Sequence, residues 1–189
     1  MVRKVRTDAK EKGTIPFSWT ARTLKRRTRV ARSMAPGRSM REARATVVRL
    51  MMPPDANPHG NVHGGVIMKL VDEVAGIVAH RHARRNVVTA RLDRMDFHEP
   101  VFVGNALSLD ARLAFTGRTS MEVMVDVRAE NLDTGEVVHT GTAWLTMIAL
   151  NERGKPVAVE PIAPESEDEK RLHALAAARY EARRNERGA

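Results

Sequence analysis

Residues 55–73 read DANPHGNVHGGVIMKLVDE: two Asn, two His and three Gly in a bare loop that runs into an apolar segment carrying two adjacent carboxylates. Gly60, Gly64 and Gly65 let the backbone approach a ligand closely, and Gly64-Gly65 opens the apolar segment. If that segment is a helix, its first N–H groups have no internal partner and carry the positive end of the dipole. Aimed at a carbonyl oxygen they form an oxyanion hole, worth roughly 3 kcal/mol per donor. Asp72 follows Gly65 by seven residues, nearly two turns, so both project from one side of the helix. An acyl group lying along that side meets a donor at one end and a carboxylate near it. The implied chemistry is attack on a polarised carbonyl, with the carboxylate as base or nucleophile.

Of the two carboxylates, Glu73 has Lys69 four residues before it, the spacing of an ordinary surface pair. Asp72 has Val71 and Ala75 as neighbours, and an apolar setting raises a carboxyl pKa and makes it a usable base. The competing reading, equally compatible with the periodicity, has both carboxylates facing water at the helix end of a groove. His59 and His63 stand at i, i+4, but in a Gly/Pro loop, and His80 and His82 diverge on a helix, so no metal site is expected. His63 keeps interest as a support for the oxyanion turn. No G-x-S-x-G occurs, nor any phosphate-binding Gly-rich turn between a parallel strand and a helix.

The elements that must position these residues follow from pattern. ATVVRLMM (45–52) reads as a strand closed by Pro53-Pro54, and VIMKLVDEVAGIVAHRHA (66–83) as a helix apolar round nearly its whole circumference, hence an interior one. Strands follow at 86–97, at ALSLDARLAF, at MEVMVDVRAEN and at 137–150, separated by the turns TGRTS and LDTGE. Leu107, Leu109, Ala111, Leu113 and Phe115 alternate with Ser108, Asp110 and Arg112, the signature of a half-buried antiparallel strand. One interior helix and four or five long strands bury one another only if the sheet curls round the helix, an α+β arrangement. Residues 163–189 form a separate C-terminal surface helix, with Ser166 and Glu169 as a capping box and a narrow stripe of Leu172, Leu175, Ala176 and Tyr180.

The net charge of +9 is local: residues 1–45 hold 14 Lys and Arg against 3 Asp and Glu, and the remainder 18 against 20. Residues 1–43 are expected to be a disordered basic extension ahead of a domain at 44–162. With only Phe17 and Trp19 as aromatics, the extension lacks the stacking residues of a nucleic-acid arm. There is no Cys, so no disulfide or thiolate nucleophile, and no run approaches the ~20 apolar residues of a membrane span. A cytoplasmic protein is expected.

The stretches DANPHGNVHGGVIMKLVDEVAGIVAHRH, NVVTARLDRMDFHEPVFVGN, FTGRTSMEVMVDV and PESEDEK closely resemble the hotdog-fold acyl-CoA thioesterases of the cytosolic, brain-type group. The resemblance runs over about residues 46–183. It implies hydrolysis of fatty acyl-CoA to free acid and CoA, with no cofactor beyond the substrate's own CoA. It assigns catalytic roles to Asn57, from the DAN segment, and to Asp72, from the DE pair, with Gly65 as backbone oxyanion donor. For CoA it implies contacts at Gly64 and the turn Arg118, Thr119 and Ser120, a turn that a plain hairpin explains equally well. It also implies a homo-oligomer, a trimer of side-by-side dimers in which Asn57 of one copy faces Asp72 of another. Two rivals keep the fold: a hydroxyacyl-thioester dehydratase using His63 and Asp72, in which Asn57 has no task, and a non-catalytic acyl-CoA sensor binding DNA through its basic tail.

Overall fold

A computed structural model describes residues 37–186. In chain order the elements are β1 (Arg38–Ser39), β2 (Arg44–Leu50), α1 (Gly64–Ala83), β3 (Asn86–Phe97), β4 (Asn105–Thr116), β5 (Ser120–Asn131), β6 (Val137–Leu150), β7 (Ile162–Ala163) and α2 (Glu167–Glu186). Five strands make one antiparallel sheet in the order β2-β4-β5-β6-β3. Only β4, β5 and β6 form a meander; β3 returns to pair with β6, which leaves β2 and β3 as the two outer edges. The sheet curves round α1, and Leu107, Leu109, Ala111, Leu113, Val123 and Val125 are buried against it. This is the α+β hotdog fold.

The helix starts at Gly64 and ends where Arg84 takes a left-handed conformation (φ 54°), with its N–H donating to the His80 carbonyl at 2.8 Å. Val71, Val74, Ala75, Val78 and Ala79 are buried, but Met68 and Ile77 are exposed in the single chain. The periodicity predicted a helix covered on every side; the sheet wraps only part of it, and the open stripe runs beside the free edge β3. A second departure lies in β4. A bulge between Leu113 and Phe115 interrupts the alternation, so Phe115 packs on the outer face with Ala114, Trp144 and Ala176 of α2.

Charge alone placed residues 38–43 with the N-terminal extension, yet they are built into the body. β1 pairs in parallel with β7, and Met40 and Ala43 are buried in the core. The rest of the extension, 1–36, lies outside the described residues. The capping box of α2 forms as the sequence predicts: Glu169 N–H donates to Ser166 Oγ at 3.2 Å, and Ser166 N–H to the Glu169 carboxylate at 3.1 Å. On its apolar stripe Ala176 is buried and Leu175 exposed. No helix among the described residues is long and apolar enough to cross a membrane.

Candidate active site

The loop ahead of α1 is held by a residue that the sequence reading passed over. Asp55 is 6% exposed, and its carboxylate receives the Met52 N–H at 2.9 Å and the Arg49 guanidinium at 2.8 Å. Its carbonyl receives the His63 N–H at 2.9 Å, and Val62 N–H donates to Val101 at 2.8 Å. Between these anchors Asn57 folds the loop on itself. Its Oδ1 accepts from His59 N–H (2.9 Å) and Asn61 N–H (3.3 Å), and Gly60, at φ +87°, makes the turn that a side chain would strain. The amide nitrogen of Asn57 donates to no described residue, so it is the half of the side chain left for a ligand.

At the start of α1, His63 provides no side-chain cap. Val66 and Ile67 reach its carbonyl, while the N–H groups of Gly64 and Gly65 have no partner among the described residues. A Cβ on Gly65 would meet nothing within 4 Å, whereas one on Gly64 would lie 3.5 Å from the Phe97 ring. Asn57, Gly64, Ile67, Phe97 and Glu99 line one cleft of about 290 Å³. Gly65 and His63 are outside its lining, and the exposed His63 ring makes no hydrogen bond to a described residue.

Asp72 is not in this cleft. Lying eight residues after Gly64, it stands about 12 Å further along the helix axis. It is exposed in the single chain, where the alternative of an apolar enclosure had equal standing. Thr89 Oγ1, on β3, donates to its Oδ1 at 2.5 Å, and the same hydroxyl lies 3.3 Å from Met147 Sδ. Thr89 is the candidate residue most plainly missed: in the sequence it is one more β-branched residue of a strand run. Glu73 pairs with Lys69 at 3.7 Å, as its spacing predicts.

The turn at 117–120 is packed rather than free. Gly117 N–H donates to the Ser120 carbonyl at 2.9 Å, and Arg118 and Thr119 carbonyls receive Val159 and Ala149 N–H groups. Thr119 and Ser120 line a second cleft, of about 210 Å³, together with Arg91, Arg183 and Arg184. Arg118 is not in that lining, so the cations of this cleft come from β3 and α2 instead. Beneath it, Arg183 contacts Glu122 at 2.6 Å and Asp93 at 2.5 Å, and Arg91 contacts Asp93 at 2.5 Å. Glu122 is 1% exposed; burial pushes its carboxyl pKa up against the opposing pull of Arg183 and the Thr146 hydroxyl. Among the described residues no three of His, Cys, Asp or Glu converge to hold a metal ion.

Residues 59–136 match the model of the thioesterase superfamily. An apo-hexameric acyl-CoA thioesterase of known structure is 42% identical, with a TM-score of 0.77, covering 80% of this chain and 97% of that one. This chain belongs to the acyl-CoA thioesterase family. The cytosolic acyl coenzyme A thioester hydrolase of Rattus norvegicus is 40% identical over 140 residues, 73% of this chain; the chain spans only 37% of that relative's length. The acyl-CoA hydrolase of Staphylococcus aureus, solved with butyryl coenzyme A, coenzyme A and coenzyme A disulfide, is 36% identical with a TM-score of 0.75, over 80% of this chain and 93% of that one. That thioesterase has also been solved with an Asn, an Asp and a Thr each replaced by Ala, at positions separated by 15 and 17 residues. Asn57, Asp72 and Thr89 have the same separations in this chain.

Proposed function

We propose that this chain hydrolyses fatty acyl-CoA thioesters to a free acid and CoA, with Asn57 and Asp72 as its catalytic side chains and Thr89 positioning Asp72. The observation that carries this reading is the Thr89–Asp72 hydrogen bond at 2.5 Å, which holds a solvent-reachable carboxylate in one orientation. The thioester carbonyl accepts from the unpartnered N–H groups of Gly64 and Gly65. Asp72 takes a proton from water as the water oxygen bonds to the carbonyl carbon, and the Asn57 amide orients the reacting groups. Collapse of the tetrahedral intermediate breaks the C–S bond, and the CoA thiolate leaves with the proton from Asp72. No metal or organic cofactor enters the reaction.

Asn57 and Asp72 occupy different regions of one chain, so we infer that each site is completed by a second copy. Side-by-side pairing at the free edge β3 brings the Asn57 loop of one copy to the Asp72 of its partner and covers Met68, Ile77, Val88 and Phe97, all exposed in the single chain. Dimers of this kind assembled in threes make a hexamer, the state of the 42%-identical thioesterase. The cleft lined by Thr119, Ser120, Arg91 and Arg184 suits the phosphates of CoA. A cytosolic setting agrees with the name of the rat relative. The test is release of free CoA thiol from acyl-CoAs of several chain lengths by wild type, Asn57→Ala and Asp72→Ala. Turnover by wild type, with the rate lost in both variants as folded oligomers, supports the reading. A wild type that binds every acyl-CoA yet turns none over overturns it in favour of a sensor.

A further inference from the structure

Among the described residues the exposed large apolar side chains fall into two main groups. Met68, Ile77, Val88 and Phe97 lie on α1 and β3, where the dimer seam is proposed. Most of the others gather at the opposite edge of the sheet: Val48 (65% exposed) and Leu50 on β2, then Met52, Phe102 and Val103 in the flanking loops. These loops are joined, since Met51 N–H donates to the Asn105 carbonyl and Gly104 N–H to the Met51 carbonyl, each at 2.9 Å. β2 and β3 are the two ends of the strand order, so strand pairing through β3 leaves β2, with Val48 and Leu50, uncovered. A closed ring of dimers requires a second self-contact in addition to the seam. An apolar rim of this extent on an outer strand is otherwise a liability in water.

The rim is also wired to the catalytic loop. Phe102 forms a β-bridge with Asn61. Asn61 in turn holds Asn57 from both sides, its carbonyl accepting the Asn57 N–H at 2.6 Å and its N–H donating to Asn57 Oδ1 at 3.3 Å. On the other flank, Met52 N–H is bound by the buried Asp55 carboxylate that closes the same loop. Phe102 thus stands one residue from Asn57, through Asn61, and Met52 is tied to the buried Asp55 that anchors the same loop.

We propose that Val48, Leu50, Met52 and Phe102 form the surface on which a second copy of this chain docks to join dimers into the hexamer, and that this contact braces the Asn57 loop for catalysis. The inference rests on the thioesterase reading above for its catalytic half and stands independently for its docking half. The test uses the full chain: Val48→Asp and Phe102→Asp made singly, each compared with wild type by sedimentation velocity, circular dichroism and CoA-thiol release. Leu175→Asp, an equally exposed apolar position on α2, serves as the control. The expected result is that both rim variants keep their helix signal, sediment as particles of about a third of the wild-type mass, and lose about tenfold or more in kcat. The Leu175 variant stays hexameric and active. Rim variants that remain hexameric, or that fall to monomers, overturn the docking surface. Dimers with wild-type kcat overturn the bracing. A wild type inert on acyl-CoA overturns the enzyme reading and the bracing with it, while the masses still decide the docking surface.

Discussion

Thr89 donates its hydroxyl to Oδ1 of Asp72 at 2.5 Å, across the gap between the middle of α1 and the free edge strand β3. The donor is itself fixed, because Thr is stiff at χ1 and its oxygen rests 3.3 Å from the buried Met147 sulfur. One oxygen of the carboxylate is thereby committed and the other, Oδ2, is directed by it. With Asp72 as the proposed base, a carboxylate aimed by a single hydroxyl loses its aim when the hydroxyl goes. Thr89→Ala should lower kcat for acyl-CoA hydrolysis by roughly 10- to 100-fold with little change in KM, and Thr89→Ser should recover most of it. Equal loss in the Ala and Ser variants would mean that the methyl packing, and not the hydrogen bond, is what matters.

If each site takes Asn57 from one copy and Asp72 from another, two dead variants can rescue each other. Asn57→Ala and Asp72→Ala proteins, mixed at equal amounts, unfolded together and refolded, should regain about a quarter of wild-type activity, because half of the random dimers are mixed and each mixed dimer holds one intact site. Neither variant refolded alone should recover. Absence of rescue in mixtures proven by mass to contain both chains would put both residues of each site within one copy.

Much of this molecule was legible in the chain. The strand runs and the apolar helix at 66–83 appear close to their predicted bounds because alternation and helical periodicity are local signals. The glycine loop running into an apolar helix that carries Asp72 was legible from residue types and spacing, whereas Asn57 was singled out only by the family resemblance, and the single chain keeps Asp72 apart from the cleft that Asn57 and Gly64 line. What escaped depends on the third dimension. The β3–β6 pairing and the bulge that turns Phe115 outward leave no local mark. Thr89 acquires its role only by facing Asp72 across 17 residues. Arg183 is one of several Arg in the last helix and carries no mark in the sequence, yet it crosses 61 residues to a buried Glu122.

That ion pair fastens α2 to the sheet, with Arg183 bridging Glu122 at 2.6 Å and Asp93 at 2.5 Å. Removing the guanidinium leaves the buried Glu122 carboxylate without a cation, while Asp93 keeps Arg91. Arg183→Met should cost about 3–5 kcal/mol in denaturant-derived stability, and adding Glu122→Gln should return a large part of it. The sign of the pH effect follows from the raised pKa of Glu122, due first to its burial. A raised native pKa contributes stability that is complete below the unfolded carboxyl value of about 4.3 and is lost as pH rises through the native value. The deficit of Arg183→Met relative to wild type should therefore shrink on acidification from neutral pH. A deficit that stays constant or grows toward acid would rule out an uncompensated Glu122 as its origin.

His82, at the other end of α1, predicts the opposite trend. It is 4% exposed, its Nε2 lies 2.6 Å from the Glu160 carbonyl, and its Nδ1 is buried without a partner. Arg38 donates to the His82 carbonyl at 2.7 Å and pairs with Glu160 at 3.2 Å, so His82 links the end of α1 to β1 through its backbone and to the segment before β7 through its ring. Burial is the main cause that lowers its pKa from 6.5, with Arg38 acting in the same sense and the Glu160 carbonyl and carboxylate opposing. The native state thus holds His82 neutral at pH values where the unfolded chain has already bound a proton. Its contribution is complete above about pH 6.5 and declines as pH falls toward the depressed native value, at up to about 1.4 kcal/mol per pH unit. His82→Gln keeps an N–H for the Glu160 carbonyl and cannot titrate. Denaturation between pH 7 and 5 should give a steeper loss of stability for wild type than for His82→Gln, and parallel curves would exclude His82 as an acid-sensitive clasp.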